Sequence, residues 1–341
     1  MGLKTATLQD VARVAKVSTA TVSRTLSNPD VVSDSTRTRV SDAVKVTGYR
    51  INRAARSLRT QRAHSVLVLL PDLGNPFFSS ILEGISRHLS QKGYSMLIAS
   101  TQQVHDSGER LIDYLDDARA DGMIILDGGL DADVVAMLES ASQAQRILFA
   151  CEWVEGAHFP SVRCENRAGT RTAVQHLHAL GHRKIAHVTG PEGNVLMHAR
   201  KDAFVTEIEA LGLEHRPEWI IAADFSLAAG CLAAQAWVAM QDRPTAVFCA
   251  SDQLALGFIS ELSRHDFRVP DNVSVVGFDD IDLAAQFIPS LTSIRQDRLS
   301  IGEIAATMLM ERIEKPDVVH TDTATVLPVS LVTRDSTAPP R

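Results

Sequence analysis

Cysteine is scarce in this chain and falls into no useful pattern. Cys151, Cys164, Cys231 and Cys249 make no Cys-x-x-Cys pair and no zinc-like spacing. That excludes a disulfide scaffold and a zinc site, and it predicts reduced core thiols. No apolar run approaches the ~20 residues needed to span a bilayer. The opening residues MGLKTATLQD lack the apolar stretch of a signal peptide, so a cytoplasmic protein with no membrane partner is expected. The catalytic signatures are missing as well: there is no Gly-x-x-x-x-Gly-Lys loop, no His-Glu-x-x-His and no Gly-x-Ser-x-Gly elbow. The 12 histidines are scattered, and His176 and His178, two apart on a helix, cannot share a face. Neither an enzyme, a metal site nor a cofactor is expected.

What the chain does have is charge that is unevenly placed. Residues 1–62 carry 12 Lys and Arg against 4 Asp, whereas the remaining 279 carry 22 basic against 37 acidic residues. A basic head on an acidic body suits a nucleic-acid-binding domain joined to a soluble one.

The head reads as three short helices. Thr7 caps a first helix that places Leu8, Val11, Ala12 and Ala15 on one face. Lys16-Val17-Ser18 makes a turn, and Ser18 caps a second helix. Val22 and Leu26 face inward there, leaving Thr19, Ala20, Ser23 and Arg24 outside. Asn28-Pro29-Asp30 stops it. A third helix from about Ser35 to Thr47 buries Val40, Ala43 and Val44, and Gly48 ends it. Small polar residues and an Arg on an exposed helix start suit base readout in the major groove. Arg24 can pair bidentately with guanine O6 and N7, while Thr19 and Ala20 can touch thymine methyls.

Val17-Ser18-Thr19-Ala20-Thr21-Val22-Ser23-Arg24, with Gly48-Tyr49 and Ala54-Ala55-Arg56-Ser57-Leu58, resembles the lactose/galactose repressor family. The resemblance runs to about Arg334 and is closest to the cytidine repressor type. It implies a homodimer whose two recognition helices read a near-palindromic operator. The implied DNA-contacting set is Thr7, Ser18, Thr19, Ala20, Thr21, Ser23, Arg24, Asn28, Tyr49, Ala55, Arg56 and Leu58. Residues 1–50 would be the helix-turn-helix domain and 51–62 a hinge helix. Leu58 of that hinge would wedge between central base pairs in the minor groove, with Ala55 packed nearby. Read from the residues, 52–60 is a basic run with almost no apolar face, in which Arg56 and Arg59 fit phosphate contacts.

After Arg62, short apolar runs alternate with amphipathic helices. Strands are predicted at Ser65–Leu70, Tyr94–Ser100, Gly122–Leu126, Arg146–Ala150, Lys184–Thr189, Ala246–Ala250 and Val273–Phe278, each suited to a parallel sheet covered on both faces. Helices are predicted at Pro76–Gln91, Arg167–Leu180, Arg200–Leu211, Ser226–Met240 and Asp252–His265. The fold expected is an all-α head with a hinge helix, joined to an α/β body of two lobes with parallel sheets. The resemblance implies a periplasmic-binding-protein-like body over 63–341. Its first lobe would be 63–164 and 295–326, its second 165–294 and 327–341.

Ligands of such sheets sit beyond the carboxyl ends of the strands. Loops there offer Asp72, Asn75, Phe77 and Phe78, then Glu152 and Trp153, then Asn194, Leu196, His198 and Arg200, then Asp224 and Phe225, and finally Asp279. Aromatic faces stack on a sugar or base, and Arg and Asp bind vicinal hydroxyls. The resemblance implies that Arg200 and Asp279 hold the ligand, Phe78 and Phe225 stack on it, and Trp153 edges the cleft. The effector set is therefore Asp72, Asn75, Phe77, Phe78, Trp153, Asn194, Leu196, His198, Arg200, Phe225 and Asp279. Arg200 and Asp279 are a balanced pair with no spare cation for a phosphate, so a small neutral effector is expected, a nucleoside or pentose. A ribose or other carbohydrate effector is the alternative. The sequence departs from the family at Asp280, Glu165-Asn166 and Asp297, which bears on effector identity rather than fold. A transport receptor is the rival that the body alone allows, and the basic head weighs against it.

Overall fold

A computed structural model describes residues 6–49, 62–318 and 323–341. The chain divides into two units, Met1–Arg62 and Ala63–Arg341. The expected hinge, with Ala55, Arg56 and Leu58, lies outside the described residues.

In the head, α1 (Leu8–Ala15) begins at a reciprocal cap. The Thr7 hydroxyl accepts from the Asp10 N–H, and the Asp10 carboxylate accepts from the Thr7 N–H at 3.0 Å. Lys16, with φ of 52°, turns the chain toward α2 (Thr19–Ser27), which Ser18 caps through the Thr21 N–H at 3.0 Å. Helix α3 (Asp34–Thr47) starts one residue before its predicted Ser35 and ends at Gly48, whose φ of 64° favours glycine. Val11, Ala12, Ala15, Val22, Val40 and Ala43 form the core, with Leu8, Val17, Leu26, Val44 and Tyr49 packed around it. Thr25 is buried too, its hydroxyl donating to the Thr21 carbonyl at 2.8 Å.

The body contains two six-stranded sheets. The first lobe begins with β1 (Ser65–Leu70), α4 (Phe78–Gln91), β2 (Ser95–Ser100), α5 (Thr101–Ser107), α6 (Asp113–Asp116), β3 (Gly122–Ile125), α7 (Ala132–Ser140), β4 (Ile147–Ala150) and β5 (Ser161–Cys164). The chain then crosses to α8 (Asn166–Ala179), β6 (Ile185–Val188), α9 (Val195–Ala210), β7 (Ile220–Ile221), α10 (Leu227–Ala239), β8 (Ala246–Cys249), α11 (Asp252–Arg264), β9 (Ser274–Asp279), α12 (Asp282–Gln286) and β10 (Thr292–Gln296). It returns with α13 (Arg298–Glu314) and β11 (Ala324–Leu327), and crosses a third time into β12 (Val329–Val332). Strand orders are β11-β5-β4-β3-β1-β2 and β12-β10-β9-β8-β6-β7. Among the described residues every pairing is parallel except β10 with β12.

Several expected boundaries move. Arg295 and Gln296 belong to β10 in the second sheet, and Leu327 pairs with Cys164 in the first. The crossing thus follows Gln296, where the Asp297 carboxylate caps α13 through the Ser300 N–H at 3.1 Å. Helix α4 starts at Phe78 rather than Pro76, because the Asn75 side chain accepts from the Phe77 N–H at 2.9 Å and holds a turn there. Helix α9 starts at Val195, five residues before the predicted Arg200, capped by Asn194 through the Leu196 N–H at 2.9 Å. Strands β5 and β10 went unpredicted because Arg163, Arg295 and Gln296 interrupt their apolar runs. The expectation that β2 is covered on both faces fails: it is an edge strand, and Leu97 and Ile98 are exposed. No helix among the described residues is long and apolar enough to cross a membrane.

Each lobe is closed by a helix pair whose backbones touch. A Cβ on Gly302 of α13 would lie 2.1 Å from the Ile81 carbonyl oxygen of α4, and one on Gly257 of α11 2.1 Å from that of Leu227 on α10. Backbone cannot yield as a side-chain tip can, so Gly302→Ala is expected to cost about 3 kcal/mol of stability. Urea denaturation of the full chain checks this; an unchanged midpoint would contradict the packing.

Candidate functional site

In the head, the exposed face of α2 carries Thr19, Ala20 and Arg24, with Thr21 and Ser23 half-buried. The Ser18 and Thr21 hydroxyls lie 2.8 Å apart, so both already serve the cap. Thr7 is likewise engaged with Asp10. Asn28 is exposed at the helix end, and Tyr49 is half-buried against the head core.

In the body, a cavity of about 320 Å³ lies between the carboxyl ends of both sheets. The loop after β1 supplies Pro71, Asp72 and Asn75, and the entry to α4 supplies Phe77 and Phe78. Glu152 enters from the loop after β4. From the second lobe come Leu196 and Arg200 of α9, then Asp224, Phe225 and Ser226 after β7, Ser251 and Gln253 after β8, and Asp279 at the end of β9. Phe77 and Phe78 meet edge to face at 5.1 Å. Gly190 lets the Phe225 ring approach, since a Cβ there would stand 2.9 Å from its Cε1.

Arg200 is the cation of this cavity and is 1% exposed. Its Nε donates to Asn166 Oδ1 at 2.9 Å, and its Nη1 to the Ala250 carbonyl. The guanidinium lies 3.7 Å over the Phe278 ring, and Nη1 is 3.9 Å from Asp279 Oδ1. Nη2 is buried without a partner among the described residues, a donor a ligand acceptor would satisfy. Asp279 Oδ1 accepts from Gln296 Nε2 at 2.7 Å. Asp279 has a φ of 116° and Asp280 of 52°, strained backbone of the kind that gathers at binding sites. Burial pushes the Asp279 carboxyl up to about 6 against the pull of Arg200 and Gln296. Behind it the buried Asp252, hydrogen-bonded to the Ser293 hydroxyl and the Ile281 N–H, is raised far above the carboxylate range, chiefly by burial.

Of the effector set, the cavity gathers Asp72, Asn75, Phe77, Phe78, Leu196, Arg200, Phe225 and Asp279. Trp153, Asn194 and His198 do not line it. Because α9 begins at Val195, residues 196 and 200 share the cavity face and 198 points away. Exposed His198, with Trp153, Arg163 and Arg167, instead borders a separate cleft. Arg163 lies 4.1 Å over the Trp153 ring, whose indole N–H donates to Glu155 at 3.1 Å. Asn194 spends its side chain on the helix cap and on Glu152. Ser226, Ser251 and Gln253 were not anticipated, although Ser251 and Gln253 follow a predicted strand and the carboxyl-end rule covers them. The balanced pair also needs correcting: Asp72, Glu152, Asp224 and Asp279 face one guanidinium. Among the described residues, no group of three His, Cys, Asp or Glu could hold a metal ion.

Residues 7–52 match the pattern of bacterial regulatory proteins of the lacI family, and 174–337 match a periplasmic binding protein-like domain. The HTH-type transcriptional repressor CytR of Escherichia coli (strain K12) is 37% identical over 309 residues, 91% of this chain and 90% of its own. The lac repressor dimer bound to operator and the anti-inducer ONPF superposes with a TM-score of 0.82 at 29% identity, covering 98% of this chain and 100% of its own. A LacI family regulator from Enterococcus faecium with bound ribose gives 0.72 at 26% identity, over 81% of this chain and 100% of its own.

Proposed function

This chain belongs to the lacI family and is a DNA-binding transcriptional repressor, and from that premise we propose that its operator affinity is set by a small neutral nucleoside or pentose held between the lobes. The observation that carries this reading is the chemistry of the cavity. Four acids and the buried Arg200 present mainly hydrogen-bond acceptors, which suits a ligand rich in hydroxyl donors. The Phe77, Phe78 and Phe225 rings offer apolar faces to a sugar or base. The volume, about 320 Å³, suits one such molecule. A carbohydrate effector is the second reading, favoured by the ribose bound to the Enterococcus faecium relative.

On the DNA side, Arg24, Thr19 and Ala20 read the bases of each half-site, while the remaining head residues fix register against phosphates. Ala55, Arg56 and Leu58 of the hinge enter the minor groove. The protein acts as a dimer, for which exposed Leu97 and Ile98 on β2 and Leu283 and Ile288 on the second lobe provide apolar surface.

Calorimetry of the full chain with cytidine, uridine, adenosine, inosine and ribose tests the effector. At least one neutral compound is expected to bind, and its 5′-phosphate to bind at least about tenfold more weakly, because the acids repel it. Preference for a phosphorylated sugar would overturn the cavity chemistry.

A further inference from the structure

Glu152 crosses the cleft. Its Oε2 accepts from the Gly128 N–H of its own lobe at 2.8 Å and from Asn194 Nδ2 of the other lobe at 3.0 Å. The fit beneath it is tight: a Cβ on Gly128 would lie 2.6 Å from the Trp153 carbonyl oxygen. Asn194 at the same time caps α9, the helix that carries Arg200 into the cavity. The same carboxyl lines the effector cavity and is only 5% exposed. Other side-chain bonds join the lobes near the cavity: Gln253 Nε2 donates to Asn75 Oδ1 at 3.2 Å, and Arg298 Nη2 of α13 donates to the Asp280 carbonyl at 3.2 Å.

We infer that Glu152 is a positioning residue for the effector response: its carboxyl latches the lobes together and takes up a proton as they close. The inference rests on the effector reading above and goes beyond it. A ligand held by both lobes enters only when they part, and parting breaks the bond to Asn194 and returns Glu152 to water. Closure buries it again, facing Asp127 from the loop after β3, Arg200 from α9 and the Cys151 thiol beside it, with Asp72, Asp224 and Asp279 across the cavity. In the closed form burial, reinforced by Asp127, lifts the carboxyl to about 7, although the Gly128 and Asn194 donors pull it down. In water an ordinary glutamate titrates near ~4.3. The closed form therefore binds the proton more tightly, and falling pH favours closure.

Effector affinity of the full chain, measured with the nucleosides and ribose named above, is expected to rise about fourfold from pH 8.5 to 6.5. Glu152→Gln keeps an acceptor oxygen and cannot ionise, so the Glu152 part of the slope is expected to vanish. The variant is expected to bind more tightly than the wild type at both pH values, because wild-type Glu152 is ionised in the open form and must take up a proton to close. Any part of the slope due to Asp279 persists in that variant. With or without effector, Trp153 reports on its neighbour. Its fluorescence is expected to titrate near pH 7 in the effector-saturated wild type and between ~4.3 and about 7 in the free protein, according to how far the lobes rest closed. That component is expected to vanish in Glu152→Gln. If no compound in the panel binds at any pH, the effector reading fails and the fluorescence titration alone decides the latch. A titration unchanged by Glu152→Gln, or an equal pH slope in both proteins, overturns it.

Discussion

Raising salt from about 50 to 200 mM is expected to weaken operator binding by about 10³–10⁵-fold, as for a dimer that neutralises ~6–10 phosphates. The head supplies the charge. Its 12 Lys and Arg face only 4 Asp, and those acids are already paired: Asp10 with Arg13, Asp30 and Asp34 with Arg37, Asp42 with Lys45. Such exposed pairs are worth little, and a phosphate readily replaces the acid. The body, with 22 basic residues against 37 acidic, repels DNA and confines the attraction to the head. Fluorescence anisotropy with a labelled operator reads the slope of log affinity against log salt. A slope near −6 or steeper is expected, and a nearly flat line would contradict phosphate neutralisation by this head.

Asp279→Asn is expected to weaken effector binding about 100-fold and to erase the effector's influence on the operator. The side chain keeps its shape and its bond from Gln296, so what is lost is charge. With its carboxyl near 6, Asp279 is ionised at pH 7.5 and accepts charge-assisted bonds from ligand hydroxyls, each worth about 1.5–3 kcal/mol. The Asn amide turns one acceptor into a donor and leaves Arg200, 1% exposed, without its anionic neighbour. Calorimetry gives the affinity, and operator binding without effector shows that the variant is folded. Wild-type affinity in Asp279→Asn would remove Asp279 from the site. The effector acts on the operator only through a difference in affinity between two lobe arrangements, so losing its grip loses the response.

The head was legible almost residue by residue. Thr7, Ser18 and Gly48 are caps whose chemistry acts within a few residues, and Leu8, Val11, Ala12 and Ala15 repeat at helical spacing. The apolar strands of the body were legible for the same reason. Polar strands were not: β10 (Thr-Ser-Ile-Arg-Gln) takes its place from pairing with β9 and β12, partners its own residues do not announce. The start of α9 was misjudged because an Asn cap at 194 was read as loop chemistry. That error made His198 a candidate ligand residue, whereas helical geometry turns it out of the cavity that Leu196 and Arg200 face.

Local sequence alone determined that the chain has a basic, DNA-reading helical head on a two-lobed α/β body, since charge, caps and periodicity are properties of neighbours along the chain. It also singled out Arg200 and Asp279 as candidate ligand residues after strands, although Arg200 lies inside α9 and Asp279 closes β9. Only the tertiary structure decided how much acid surrounds that pair, that Ser251 and Gln253 join it, and that Glu152 reaches across to Asn194. Those contacts bridge 42 residues or more and arise where the carboxyl ends of two separate sheets converge. Burial there moves the Glu152 and Asp279 carboxyls, because desolvation depends on what packs around a group from both lobes rather than on its neighbours in sequence.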